Sequence, residues 1–558
     1  MAETPAQKPK QQHTAHNGML FQAGVLAGAS IIVRIIGLLY RAPLTAIIGD
    51  EGIGYYGFAY NIYTIVLLIS SYSIPSAISK VMAGKLAIGQ SRNARRVFHC
   101  AMFYALAVGS FASLFLFFGA GLLVPPGAVI VLRAFAPTVF IFGILGVLRG
   151  YFQAYGSMVQ TSVSQILEQL ANAVISIWAA YMLTWVAAGK DATTRARFGA
   201  MGSALGTGSG VAIALLFMAF CFYVNQDNAK RRLHRDKSRP DSYRDVMRET
   251  MLAITPFILS GFILNLCTSL NQTIYTKTLI AQGLSEVDVT TQYGIFSNKA
   301  VVITNIPISI ATAVSAAIIP GISASFAKQN IAETRYRAES VVRLTMIIAM
   351  PCTFGLIALA WPIMLLLFPQ MGSLDMASSL LALLAVTVIF YSISTVTNAV
   401  LQAIGKMQMP LVSAGIALCV QTLALVYLLR HTSLGVYSLI LVSVIYAVLI
   451  FAMNELFIHR YLQVRVDPVT VYIAPMVASA IMGFVSLGVY ALCYTILSAA
   501  GVERVYFINL ISMIPALAAA VLCYAYLMLR FRAIRKEDVL RLPKGGFILR
   551  VLKKLRWI

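Results

Sequence analysis

The chain has 558 residues, is 59% hydrophobic and only 11% charged, and carries a formal net charge of +23. Apolar runs of about 20 residues recur along nearly the whole length, which excludes an ordinary soluble domain and marks a multi-pass membrane protein. Few charges lie inside these runs, so the basic balance points to the anionic cytoplasmic leaflet rather than to nucleic acid.

The first 18 residues, MAETPAQKPKQQHTAHNG, are polar, and the first apolar run is too long for a signal-peptide core, so no cleavable signal is expected. Fourteen spans follow, at 19–49, 54–80, 98–123, 130–153, 159–187, 200–224, 250–278, 291–326, 338–368, 374–404, 409–430, 434–460, 469–499 and 505–531. The expected fold is all-α. A cytoplasmic tail (1–18) leads into a six-helix bundle (19–224), a basic cytoplasmic linker (225–249) and a second six-helix bundle (250–461). Helices 13 and 14 (462–532) and a basic tail (533–558) complete the chain.

Loop charge sets the orientation. The connections 80–97, 225–249 and 327–337 and the tail from Arg530 are rich in Lys and Arg, and all follow even-numbered spans, so both termini are expected in the cytoplasm. The opposite loops are short and often acidic, as at Asp50–Glu51 and at Glu286 and Asp288; only 188–199 disagrees.

Two motifs recur in the same order. Y-G-x-x-x-N occurs at Tyr56–Asn61 and Tyr293–Asn298, each opening an even-numbered span. Q-A-x-G-x-M occurs at Gln153–Met158 and Gln402–Met407, each at a turn between a fourth and a fifth span. These matches make spans 1–6 and 7–12 two similar bundles in the same orientation, a parallel repeat that predicts a substrate site between them and alternating access.

Polar residues within the spans are the candidate site. Arg34 lies midway along the first span, and Arg41 lies seven residues on, on the same helix face with Gly37 between them. A mid-bilayer arginine costs about 2.5–3.5 kcal/mol on insertion scales, so it normally faces a cavity or a partner. Snorkelling is the alternative for Arg41, whereas Arg34 is far from either interface. Lys299, directly after the second Y-G-x-x-x-N, is either a cavity residue or an outer-leaflet snorkel. Glu168 shares a face with Gln165, Gln169 and Asn172; it is a counter-ion for Arg34, a proton or cation site, or a protonated structural acid. Arg133 and Arg149, near opposite ends of the fourth span, are expected to snorkel.

The seventh span carries Asn265, Thr268, Ser269 and Gln272 along one stripe, and the tenth carries Thr395, Asn398 and Gln402. Such residues serve as interhelical hydrogen-bond partners or as cavity lining; Asn61 and Asn298 of the repeated motif join the lining set. Pro43, Pro75, Pro256 and Pro307 suggest bent helices around a wet cavity. The seven cysteines are scattered without a CxxC pair, no phosphate loop occurs, and no His/Cys/Asp cluster has metal spacing. Neither a metal, a cofactor nor enzyme chemistry is therefore expected. The mid-membrane charge is net positive, which suits an anionic headgroup such as a phosphorylated lipid or polyprenyl-linked sugar.

Six plus six plus two spans resemble the multidrug/oligosaccharidyl-lipid/polysaccharide (MOP) exporter superfamily. VRIIGLLYRAPLTAIIGDEGIGYYGFAYNIY, and RGYFQAYGSM followed by SQILEQ at 149–169, resemble signatures of its stage V sporulation protein B and YtgP group. That group is related to MurJ-type lipid II flippases, which carry a polyprenyl-pyrophosphate-linked disaccharide-pentapeptide from the inner to the outer leaflet. The resemblance implies a flippase of the bacterial plasma membrane, most simply for lipid II. Arg34, Arg41 and Lys299 would meet the pyrophosphate, and helices 13 and 14 would form a groove for the polyprenyl tail. The family's span-2 arginine has no counterpart in NIYTIVLLISSYSIPS. The resemblance also implies a monomer without cofactor, driven by an ion gradient (Na+, H+ or Cl−) or the membrane potential. Its partners would be membrane lipids and cell-wall synthesis proteins. The alternatives are a flippase for another lipid-linked polysaccharide of capsule or teichuronic type, a cation-coupled drug exporter, and a non-transporting scaffold.

Overall fold

A computed structural model describes residues 28–531 apart from 30–31, 73, 228–230, 232, 234–235, 407, 465–466 and 501–503, and it leaves a few side chains undescribed, chiefly those of 253–265. The expected tails, 1–18 and 533–558, lie outside these residues. Among the described residues the regular structure is helical throughout, without strands. Twelve helices are long and apolar enough to cross a membrane, and they fall on expected spans 2–6 and 8–14. The seventh is covered by a helix, Tyr243–Ala281. The first lies partly outside the described residues; its described part is helical over 32–39 and continues from Arg41. Gly49, at φ 71° and ψ 178°, breaks the helix Arg41–Leu67 and so ends the first span where the sequence places the turn.

The chain forms two compact units, Met1–Ser269 and Leu270–Ile558. In the first, α1 (Arg41–Leu67), α2 (Ile74–Ala87), α3 (Ser91–Leu123), α4 (Val129–Ala154), α5 (Val159–Val186) and α6 (Ala192–Val224) pack together, with α5 against α6 the most extensive pairing. The cause is a row of small residues. A Cβ at Gly202 would stand 2.6 Å from the Ala179 carbonyl, one at Gly210 2.5 Å from the Glu168 carbonyl oxygen, and one at Gly206 against Ser176. In lipid, where apolar side chains gain little by leaving the solvent, such backbone approach is a main source of helix association.

The linker contributes to this unit through its acidic residues, although the sequence marks it as basic. Asp236 is buried and its Oδ2 accepts from the Arg92 N–H at 2.7 Å, satisfying a free donor at the start of α3 from a distant segment. Lys85 pairs with Asp241 at 3.3 Å and Glu249 at 3.0 Å. Asn93 Oδ1 accepts from the Asp241 N–H, Arg96 donates to the Asp241 carbonyl, and the Arg96 guanidinium lies over the Tyr243 ring.

The second unit contains α7 (Tyr243–Ala281) from Leu270 onward, α8 (Glu286–Gly294), α9 (Val301–Ala327), α10 (Ile331–Ala358), α11 (Ala360–Leu367), α12 (Met371–Leu384), α13 (Val386–Ala403), α14 (Gln408–His431), α15 (Tyr437–Leu462), α16 (Ala474–Ala499) and α17 (Val505–Arg530). The expected ninth and tenth spans are each broken, at Leu359 and at Ala385. The last two helices dock on α10 and α11 through hydrogen bonds that repair those helices. Pro351 of α10 has no N–H, which frees the carbonyl of Ile347, and the Tyr524 hydroxyl of α17 donates to that carbonyl at 2.8 Å. Asn509 Nδ2 donates to the Pro362 carbonyl at 3.0 Å and accepts from the Tyr490 hydroxyl at 2.9 Å.

The repeated Q-A-x-G-x-M motif has a common geometry. Gly156 and Gly405 lie at φ 77° and 79°, a left-handed conformation that glycine adopts at little cost. In both, the glycine N–H bonds three residues back (Gly156 to Gln153, Gly405 to Gln402) and the next N–H bonds five back (Ser157 to Phe152, Lys406 to Leu401). The repeat therefore encodes the same helix stop twice.

Two outcomes follow. Tyr524→Phe removes the donor to the Ile347 carbonyl and lowers stability by about 0.6–1.7 kcal/mol, read as a lower unfolding midpoint in detergent, while Tyr526→Phe has the smaller effect. The hydrogen bonds to Asp236, first from the Arg92 N–H and then from Ser238, hold its carboxyl below the ordinary carboxylate range. A depressed folded-state value stabilises above the unfolded value, near 3.9, and that stability is lost as pH falls through the folded value. Hydrogen exchange at 236–249 should therefore rise below about pH 4, and Asp236→Ala should raise it already at pH 7, through loss of an end cap worth about 0.5–2 kcal/mol.

Candidate functional site

The site is built on the helix that runs through 32–48. Its apolar face, Tyr40, Leu44 and Ile48, packs against Ala173, Ile177 and Ala180 of α5. Where the two helices approach, Gly37 faces Gln169: a Cβ there would lie 3.2 Å from Gln169 Nε2. Arg34 is exposed, and among the described residues it has no ion pair or hydrogen bond. Arg41 is half-buried and partnered, and its charge lies close enough to act on the Tyr56 hydroxyl. The structure thus separates the two arginines: one is presented, the other is held.

Glu168 has a partner that the sequence reading did not give it. Its Oε2 accepts from Arg149 Nη2 at 2.7 Å, and Arg149 Nε donates to Ser164 Oγ at 2.9 Å. Arg149 is 5% exposed, so the expectation that it snorkels is corrected: burial against Glu168 and Ser164 replaces the lipid interface as its solvent. The acid is the counter-ion of Arg149 rather than of Arg34. The other members of the α5 polar face have separate tasks. Asn172 Oδ1 accepts from Ser176 Oγ at 2.8 Å and Thr207 Oγ1 at 3.2 Å, closing the α5–α6 contact. Gln165 is half-buried beside them.

An aromatic face on α1 runs past the same elements. Tyr56 and Tyr60 are stacked with centroids 5.6 Å apart, Tyr63 stacks on Phe135 of α4 at 4.6 Å, and Tyr60 meets Phe135 edge-on at 6.0 Å. Asn61 is half-buried next to Tyr60. Tyrosines at 56, 60 and 63 are legible as one helix face, yet neither the charge argument nor the resemblance singles them out.

In the second unit the sequence-predicted residues are mostly enclosed. Lys299 is 1% exposed, and its ammonium donates to Ser373 Oγ at 2.9 Å and Gln370 Oε1 at 3.2 Å and lies over the Phe368 ring. In this conformation its charge is enclosed by these partners and is not presented to a ligand. The reason is the N-terminus of α12, whose Gln370 and Ser373 close over it. Asn298 is buried and bonds its neighbour Ser297. Asn398 Oδ1 accepts from Asn454 Nδ2 at 2.8 Å, and Asn454 also joins Thr397 and Ser413, so Asn398, half-buried, links α13 to α15. Gln272 and Ser269 are buried, in the second and first unit respectively, and the Asn265 side chain lies outside the described residues. Among the described residues no group of three or more His, Cys, Asp or Glu is placed to hold a metal ion.

The polysaccharide biosynthesis protein family matches residues 20–326, more than half of the chain. The chain belongs to that family. A second match, to the MatE family, spans residues 278–428. Stage V sporulation protein B of Bacillus subtilis is 26% identical over 94% of this chain and 97% of its own length. The lipid II flippase MurJ of the same organism is 24% identical over 73% of this chain and 76% of its own. Among solved structures, an inward closed conformation of the lipid II flippase MurJ has a TM-score of 0.61 at 15% identity, covering 92% of this chain and 99% of that one. An inward-facing multidrug resistance MATE family transporter of the MOP superfamily has a TM-score of 0.59 at 16% identity, covering 78% and 99%. The chain is a multi-pass membrane transporter or flippase of the MOP superfamily, in the stage V sporulation protein B group related to MurJ, and not an enzyme.

The buried pair yields a stability test. Arg149→Met leaves Glu168 without its cation and costs about 3–5 kcal/mol, whereas Arg149→Met combined with Glu168→Gln recovers most of that loss. Unfolding midpoints of the four chains of this cycle check it; a double variant no more stable than Arg149→Met alone would show that the pair is not the stabilising contact.

Proposed function

We propose that this family member is an alternating-access flippase that carries a polyprenyl-pyrophosphate-linked saccharide from the inner to the outer leaflet of a bacterial plasma membrane, with lipid II as the first cargo to test. The observation that supports the reading most directly is Arg34: a permanently charged guanidinium, midway along a membrane span of the sequence reading, exposed and without a partner among the described residues. A guanidinium's planar fork matches phosphate oxygens, so an anionic headgroup is the ligand that offsets its burial in the bilayer. The family to which the chain belongs favours a saccharide cargo over a drug. Arg41, on the same helix face, is the second phosphate contact. Lys299 joins the headgroup only in a conformation that opens its enclosure under Gln370 and Ser373. Both termini are cytoplasmic in this reading, and the protein acts as a monomer. An ion gradient or the membrane potential drives the cycle; one charge moved across 100 mV supplies about 2.3 kcal/mol. Glu168, which already holds Arg149, is the acid that would respond to H+ or Na+.

The test is a leaflet-specific assay of lipid II in cells whose sole candidate flippase is this chain. Arg34→Ala should cut arrival in the outer leaflet at least tenfold at unchanged protein abundance, and Arg34→Lys should retain part of it. Arrival at the wild-type rate with Arg34→Ala would overturn the headgroup role. Arrival that depends on Arg34 for a different polyprenyl-linked glycan, and not for lipid II, would reassign the cargo to that glycan.

A further inference from the structure

We infer that the face of α1 centred on Tyr60 is a stacking platform for the sugar adjoining the pyrophosphate, so that the first unit reads the saccharide as well as the phosphate. This rests on the flippase reading and deepens it.

Depth is the first argument. The helix through 32–48 and the helical run after Gly49 are joined at that glycine, whose φ of 71° and ψ of 178° break the helix; as the first and second spans of the sequence reading, they cross the membrane in opposite directions. Counting from Gly49, Arg41 lies eight residues back and Arg34 fifteen, level with positions 57 and 64 on the return strand of the hairpin. The arginines and the tyrosines 56, 60 and 63 therefore cover the same range of depth, about 10 Å for seven residues. Arg41 lies close enough for its charge to act on the Tyr56 hydroxyl, in keeping with that correspondence at its outer end. At its inner end the Tyr63 hydroxyl lies within reach of the Glu168 charge.

Construction is the second argument. Tyr56 and Tyr63 are buried, and Phe135 is fully buried, whereas Tyr60 is half-exposed. Tyr60 stacks on Tyr56 with the ring planes 16° apart and is braced edge-on by Phe135. One presented ring on a rigid aromatic backing loses little conformational freedom on binding, which favours affinity. Placement is also unusual for tyrosine. Tyr60 lies eleven residues past the turn, about 16 Å along the helix. That depth is near the middle of a hydrocarbon core about 30 Å thick and away from the interfacial belts where tyrosine concentrates.

Chemistry is the third. A pyranose has apolar C–H faces and a polar hydroxyl rim. The C–H face suits the electron-rich face of an aromatic ring. A sugar is covalently next to the pyrophosphate in such a lipid, so a platform level with the arginines is where it must lie.

The experiment compares two probes on the full chain in lipid nanodiscs: undecaprenyl pyrophosphate, and the same lipid bearing an N-acetylated disaccharide. Tyr60→Leu should weaken binding of the glycosylated lipid at least fivefold and leave the bare lipid unchanged. Tyr60→Phe, which keeps the ring, should bind both as the wild type does. Retained binding of the bare lipid also shows that the variant is folded. Equal weakening for both probes, or for neither, overturns the platform while leaving the flippase reading standing. Failure of the wild type to bind either probe overturns the flippase reading, and the platform with it.

Discussion

A bilayer core holds no water, and every polar group in it must find a partner within the protein or a ligand that enters with it. The arrangement of both units follows from this constraint. Pro351 removes a donor from α10, and the Tyr524 hydroxyl, arriving from the far end of the chain, supplies one to the Ile347 carbonyl. Asn454 gathers Thr397, Asn398 and Ser413. Arg149, a charge that would otherwise be prohibitive, is neutralised by Glu168 and bonded to Ser164. Helices that gain little from hydrophobic association are held instead by such bonds and by close backbone approach, as along Gly202, Gly206 and Gly210.

Against that background Arg34 stands apart because its charge is presented rather than satisfied. Arg149 and Lys299 show what a structural cation looks like in this protein: nearly inaccessible, with two or more side-chain partners each. Among the described residues Arg34 has neither property. The contrast is internal to the chain, and it assigns the three cations by environment rather than by residue type. Gln169, lodged against Gly37, holds the helix close to α5.

The two units also differ in how their predicted polar residues are used. In the first, the arginine helix, α5 and the tyrosine face of α1 form one continuous arrangement. In the second, Lys299, Asn298 and Asn398 are absorbed into packing. The linker 225–249 follows the same logic. Its acids do the docking: Asp236 accepts from the start of α3, and Asp241 and Glu249 pair with Lys85.

By itself the sequence determined the positions of most membrane helices, since hydrophobic run length is a direct consequence of bilayer thickness. It also determined the repeated helix stop at Gly156 and Gly405, because a left-handed cap demands glycine at that position. The unusual place of Arg34 was legible for the same reason: a mid-membrane charge is costly wherever it sits. Only the tertiary structure decided which charge meets which. Arg149 and Glu168 are nineteen residues apart on neighbouring helices, and periodicity reports a helix face without saying what lies opposite it. The enclosure of Lys299 by Gln370 and Ser373, over seventy residues away, and the capping of α3 by a linker carboxylate are of the same kind. Each depends on how helices rotate and dock about one another, which is set by packing summed over many residues and not by the local chemistry of any one of them.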